Sequence, residues 1–281
     1  MRLCGVIRTA AHPPHREEYI MFEFPYIIEL LSPKQSAGNN LQRLLDRFAK
    51  RYSQTLDMGC GISVPDNPMG KLRMSLVECL ERCGLQVDSE RVVMNLNTFH
   101  RKDELDALLE KAAAAGIRNL LIVRGDGGPE LPRLDVQSIG GKHSVATSID
   151  LIRYINTAWP DQFITGAAFN PYKSFGFEMS HFEKKVEAGA RFVITQPLIC
   201  HEPLIDNLRK FDVFVVIEAW MSANIELFYK SIGQDTEEYT IPFDPLKNLE
   251  ELHRSYPEDC VYLAMVDFNR DLRSYLPRLS W

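Results

Sequence analysis

Two carboxylates in this chain stand where apolar residues would be expected. Glu29 interrupts the run Tyr-Ile-Ile-Glu-Leu-Leu, and Glu218 interrupts Val-Val-Ile-Glu-Ala-Trp. A carboxylate inside an apolar strand is costly unless it is paired or keeps a proton. A carboxylic acid with a raised pKa is what a general acid near neutral pH requires. A salt-bridged structural glutamate would fit the same pattern, and Glu218 ranks below Glu29 on it. A second group follows the apolar run Leu120–Val123, where Arg124-Gly125-Asp126 puts a cation, a bare backbone and a carboxylate at one rim. The plain alternative there is a strand-end turn with a surface ion pair. Gln196 offers an amide that can pair with a heterocycle or simply end a strand.

These residues need elements to position them. From Phe24 onward the pattern alternates strand and helix. Strand-like runs occupy Tyr26–Leu31, Leu56–Ser63, Val92–Asn97, Asn119–Val123, Phe163–Phe169, Phe192–Gln196, Val213–Ala219 and Val261–Val266. Amphipathic stretches between them include Leu41–Tyr52, Leu72–Cys83, Glu104–Gly116, Ser148–Thr157, Ser180–Ala188, Pro203–Lys210 and Ile225–Ile232. Two more, Pro245–Tyr256 and Arg270–Leu276, flank the eighth strand. Eight alternating units imply parallel pairing through right-handed crossovers. In this length they point to an α/β fold, a single-domain (β/α)₈ TIM barrel, with an open doubly wound sheet as the alternative. No GxGxxG stands at the first strand–helix turn, which weakens a dinucleotide-fold reading.

A barrel gathers the polar residues at its strand ends into one mouth. In chain order these are Glu29, Ser63, Asp66-Asn67, Asn95, Asn97, Arg124, Asp126, Asn170, Thr195, Gln196, Glu218 and Asp267.

Composition bounds the rest. The 281 residues carry 45% hydrophobic and 25% charged side chains, ordinary for a globular protein, and a formal charge of -6. That balance gives no basic footprint for nucleic acid and no polybasic membrane anchor. No apolar run approaches the roughly 20 residues of a membrane span, so the cytoplasm is the default location. Six cysteines form neither a disulfide framework nor a CxxC pair, so no metal is expected. Residues 1–20, with Ala11-His12-Pro13-Pro14-His15, read as a flexible extension, and 21–281 as the barrel.

Three blocks in order resemble the methylenetetrahydrofolate reductase family. They are Ile28-Glu29-Leu30-Leu31-Ser32-Pro33-Lys34, then Gly116 through Asp126, then Lys184-Lys185-Val186-Glu187-Ala188-Gly189-Ala190 running on to Thr195-Gln196. Asp150-Leu151-Ile152 is similar to a fourth family block, and the likeness covers about residues 24–232. The resemblance implies a (β/α)₈ barrel with noncovalent FAD, moving hydride from NAD(P)H to 5,10-methylenetetrahydrofolate in one-carbon metabolism. It makes Glu29 the acid that helps open the methylene bridge. It makes Asp126 the carboxylate near flavin and pterin, and Gln196 the amide that orients folate and nicotinamide. It puts Asn97 and Thr195 with the folate. It puts Ser63, Asn95, Arg124, Gly125, Asp126, Phe169, Lys184 and Lys185 with the flavin.

The chain also departs from the family. Its His-Leu-Thr is here Asn95-Leu96-Asn97, and its Tyr-Pro-Glu with a nearby His is here Phe169-Asn170-Pro171-Tyr172. Its second-strand Thr falls near Ser63 or Pro65. Those positions mostly serve the flavin, so the chemistry is kept better than the cofactor cradle. Other readings therefore stay open: a flavin-free reductase, a tetrahydrofolate-binding methyltransferase or C1-transfer subunit, and a noncatalytic folate-binding module. A homo-oligomer or a C1-pathway partner is compatible with each.

Overall fold

The computed structural model of the protein describes residues 22, 24–233 and 243–265. Eight parallel strands close into a barrel in sequence order. They are β1 (Tyr26–Glu29), β2 (Gly61–Val64), β3 (Val92–Leu96), β4 (Asn119–Ile122), β5 (Ile164–Phe169), β6 (Phe192–Thr195), β7 (Phe214–Trp220) and β8 (Cys260–Ala264). Seven α-helices accompany them among the described residues. These are α1 (Leu41–Asp57), α2 (Leu76–Cys83), α3 (Lys102–Ala114), α4 (Ser148–Ala158), α5 (Phe175–Glu187), α6 (Ile225–Ile232) and α7 (Pro245–Ser255). None of them is long and apolar enough to cross a membrane.

Some boundaries differ from the pattern in the sequence. Leu56 belongs to the last turn of α1 and packs on the helix–strand core, so β2 starts only at Gly61. The stretch expected as helix over Pro203–Lys210 winds as 3₁₀ over Ile205–Lys210, with Ile205 N–H on Glu202 C=O at 3.0 Å. Helix α5 begins at Phe175, five residues before the expected Ser180. The helical run Arg270–Leu276 and Asp267 lie outside the described residues.

Strand parity sorts every side chain to one of two layers. Odd-numbered positions in β1 and even-numbered ones in β6, β7 and β8 point inward, as the register pairs Ile194↔Val216, Val216↔Cys260 and Glu218↔Tyr262 require. The outward faces, such as Ile28, Ile62 and Leu120, meet the helices in the main core. The inward faces form a second, smaller core of Ile27, Val93, Leu121, Phe192 and Val216. Aromatic rings plug the N-terminal end: Phe22 packs edge-on against Phe24 at 5.6 Å and Phe192 at 5.3 Å. Gly166 makes room for that plug, since a Cβ there would meet the Phe192 ring at 2.2 Å. The N-terminal half of the barrel is thus filled by apolar rings, and the polar inward positions fall at the opposite, C-terminal mouth.

Candidate active site

Glu29 closes β1 and faces inward, level with Ser63 of β2. One strand over on the other side, the Tyr262 hydroxyl of β8 donates to Glu29 Oε2 at 2.8 Å. Tyr262 is in turn the register partner of Glu218 on β7. A phenol therefore stands between two carboxyls at the floor of the mouth. Glu29 lines the cleft, and Glu218, likewise half-buried, is not among its lining residues. Burial raises the Glu29 pKa, against the Tyr262 hydrogen bond and the attraction of Arg73. Burial raises Glu218 further, and the neighbouring Glu29 charge adds to it. Two like carboxyls in one desolvated site share their titration, so the pair retains a proton above the ordinary carboxylate range. Burial and both glutamates also push Tyr262 well above its usual value, which keeps it a hydrogen-bond donor.

Above this floor opens a cleft of about 780 Å³. The end of β4 contributes Arg124, Gly125 and Asp126, and β6 leads into Gln196. Asp126 is exposed and its Oδ2 accepts the Met69 amide at 2.7 Å, which ties the β2–α2 loop to the β4 loop. Gly70 and Gly128 let those loops touch: a Cβ on Gly128 would lie 2.3 Å from the Gly70 carbonyl oxygen. Among the described residues no ion pair joins Arg124 to Asp126. The opposite wall comes from β5 and α5. Lys185 donates to the Ala168 carbonyl at 2.7 Å and lies 3.8 Å from Glu178, whose Oε1 takes the Asn170 amide. Burial lowers the Lys185 pKa, with Glu178 opposing. On the rim Phe177 is exposed and stacks on His181 at 5.8 Å, with the Lys173 ammonium 5.8 Å from its ring centre.

Several residues expected at the mouth are engaged elsewhere. Asn97 follows β3 and is 1% exposed. Its Nδ2 donates to the Asp66 carbonyl at 2.7 Å and its Oδ1 accepts the Phe99 amide at 2.7 Å, so its amide is spent as a clamp. Thr195 points outward, and its hydroxyl accepts the Glu218 N–H at 2.9 Å, where it positions a glutamate rather than a ligand. The Phe169 ring points outward, fully buried and edge-on to Phe182 at 5.5 Å, while the residue still lines the cleft. Lys184 is exposed on α5 and does not line the cleft. Ser63 is buried and donates to Asn95 Oδ1 at 2.8 Å; only Asn95 of that pair reaches the cleft. The structure thus brings together Glu29, Asn95, Arg124, Gly125, Asp126, Phe169, Lys185 and Gln196.

Two site features escaped the sequence. Tyr262 sits in the apolar run Cys-Val-Tyr-Leu-Ala, where a tyrosine looks like core until the register is known. Asp66 pairs with His100 Nε2 at 2.6 Å and accepts the Asn97 amide at 2.9 Å. Burial works against the His100 charge, but Asp66 outweighs it and the pKa rises. The spacing of Asp66 from His100 gives no hint of that contact.

A family model described as methylenetetrahydrofolate reductase matches residues 17–222. Methylenetetrahydrofolate reductase 1 of Schizosaccharomyces pombe is 29% identical over 194 residues, covering 66% of this chain and 29% of the relative. Methylenetetrahydrofolate reductase (NADH) 1 of Arabidopsis thaliana is 28% identical over 260 residues, covering 82% of this chain and 41% of that one. Methylenetetrahydrofolate reductase 2 of S. pombe is 37% identical over 123 residues, 40% of this chain and 18% of the relative. The matched region therefore spans less than half the length of each of these relatives.

Proposed function

The chain belongs to the methylenetetrahydrofolate reductase family, and from that premise we propose that its cleft reduces 5,10-methylenetetrahydrofolate to 5-methyltetrahydrofolate with hydride drawn from NAD(P)H. The observation that carries this reading is the proton-retaining Glu29 carboxyl at the cleft floor, hydrogen-bonded to Tyr262. Opening the methylene bridge requires a proton on the departing amine, and what remains is an iminium that accepts hydride at its carbon. Glu29 supplies that proton from a position where a carboxylic acid stays neutral. Tyr262 fixes the orientation of Glu29, and Glu218 beyond it helps hold the shared proton. Asp126 accepts from the amino and ring N–H groups of the pterin, and the Gln196 amide pairs with the same heterocycle.

The residues of the β4–β5 wall fit a dinucleotide that bears a diphosphate. Arg124, Arg133 and Lys173 line the cleft there and suit phosphate oxygens. The exposed Phe177 ring beside them suits a stacked base. FAD bound at this wall would supply a carrier that takes hydride from the nicotinamide and passes it to the folate. One observation favours a second reading, direct transfer without flavin: Ser63 spends its hydroxyl on Asn95 Oδ1. An absorption band near about 450 nm in the purified protein separates the two, because only the flavin absorbs there.

Glu29→Gln tests the main reading by keeping the volume and removing the acidity. Folate reduction is expected to fall roughly 10²–10⁴-fold, the usual contribution of a general acid, while NAD(P)H oxidation by an artificial acceptor persists in a flavin-loaded protein. A variant that turns over folate at close to the wild-type rate would defeat the assignment.

A further inference from the structure

A second cavity, of about 490 Å³, lies between the stretch after β1 and one face of α1. Its wall is stiff. Lys34 and Arg73 form an antiparallel bridge, and the Met74 amide donates to the Pro33 carbonyl at 2.9 Å. Five cations line it, Lys34, Arg43, Arg47, Arg51 and Arg73, and none of the lining residues is acidic. That is a marked concentration in a chain of net charge -6.

The arrangement is unfavourable as it stands. Arg43, Arg47 and Arg51 are four residues apart on α1, so like charges share one helix face and repel. Arg43 also sits in the first turn, where the positive end of the helix dipole opposes a cation. The cap residue Asn40 makes no side-chain bond there, and the first turn has no acidic residue. Among the described residues Lys34, Arg43 and Arg47 enter no ion pair.

Exposed cations alone are usually just solvated. Ser32 makes the difference: it is 1% exposed, it lines the cavity, and its hydroxyl has no hydrogen-bond partner. Arg73 Nε is likewise buried and unpartnered, while its Nη1 donates to the Ser32 carbonyl. Buried donors without acceptors carry an unmet desolvation cost. Here they converge with three exposed cations on one cavity.

We propose that this cavity binds an oligo-anion, a ligand carrying two or more linked phosphate or carboxylate groups. Ser32 and Arg73 would take one oxyanion at the base, and Arg43, Arg47 and Lys34 a second nearer the opening. The volume exceeds the need of a single oxyanion, and the helix dipole then acts in favour of binding. The site does not require the folate reading, although Arg73 at its base also attracts Glu29 of the main cleft.

The test is calorimetric titration of the full chain, at low ionic strength, with two probes: sodium tripolyphosphate and a tri-γ-glutamate peptide. Arg43→Gln/Arg47→Gln and Ser32→Ala are compared with wild type. Both arginines are exposed and their removal relieves repulsion within α1, so the double variant keeps its fold. Wild type is expected to bind at least one probe, with Kd rising about tenfold or more in the double variant, as loss of charge-assisted hydrogen bonds requires. Ser32→Ala is expected to weaken binding several-fold, and the bound probe should raise the thermal midpoint of wild type but not of the double variant. Binding of tripolyphosphate alone assigns the site to phosphates, and of the peptide alone to a carboxylate chain. Failure of both probes, or a Kd the double substitution leaves unchanged, would overturn the proposal.

Discussion

The two flanks of the main cleft follow opposite rules. Along β7, β8 and β1, ionisable groups are packed against one another: Glu218, Tyr262 and Glu29 stand side by side, and each is displaced toward its protonated form. Along β4, β5 and α5, the charges are spread out. Arg124 and Asp126 are exposed and separate, and Lys185 braces a strand end. In the proposed function the first flank keeps a proton away from water. The second would grip a charged ligand. Proton storage needs desolvation, whereas a grip needs exposed groups with spare hydrogen bonds.

The most disruptive change falls between the flanks, at the end of β3. If Asn97 is a clamp and no part of the grip, Asn97→Ala strands the Asp66 carbonyl and the Phe99 amide. One buried and one half-buried group left unpaired are expected to cost about 2–4 kcal/mol of stability, read by chemical denaturation. Unchanged stability with weakened folate binding would move Asn97 back into the ligand site.

That residue also shows where the sequence stops being informative. Eight alternating units sufficed for the barrel, because each strand and helix announces itself locally. Glu29 and Glu218 were visible because a carboxylate in an apolar run is conspicuous whichever way it faces. Thr195 and Phe169 face outward from their strands, which the sequence cannot tell: each is one position from an inward residue, and nothing local says which face of a strand is inside. Tyr262 needed the register between β7, β8 and β1, a nonlocal property. The basic cavity was hidden for a related reason. Arg43, Arg47 and Arg51 look like any solvated helix face until the stretch after β1 is seen to share one cavity with them, without a single acid in its lining.

On the gripping flank, Asp126→Asn sharpens the contrast. The change is nearly isosteric, and the Asn oxygen can still accept the Met69 amide, so stability should move by less than about 1 kcal/mol at so exposed a position. Affinity for a reduced folate should fall by roughly 1.5–3 kcal/mol, the range for a hydrogen bond to a charged group. Calorimetric titration of both proteins gives the answer. Equal dissociation constants would leave Asp126 with only its loop-tying role.

On the proton-storing flank, Glu218→Gln gives the smallest effect near pH 4.5 and the most specific one, because it changes a slope. Glu218 is raised well above its ordinary 4.5 by burial, and then by the charge of Glu29. A carboxyl that holds its proton more tightly when folded makes the native state bind more protons than the unfolded one. Stability from that source is fully present below 4.5 and is lost as pH climbs through the folded pKa, at up to about 1.4 kcal/mol per pH unit for one group. Gln cannot titrate, so the variant should lose less stability than wild type as pH rises above 4.5, with the two curves parallel below it. Glu29 would then face a neutral amide, and the proton it donates should be released over a single titration in place of a shared one. The measurement is the thermal midpoint of both proteins from pH 4 to 9, set beside the pH profile of folate reduction. Parallel stability curves over that whole range would mean that Glu218 is ionised in the folded protein, and that the two flanks hold their charges alike.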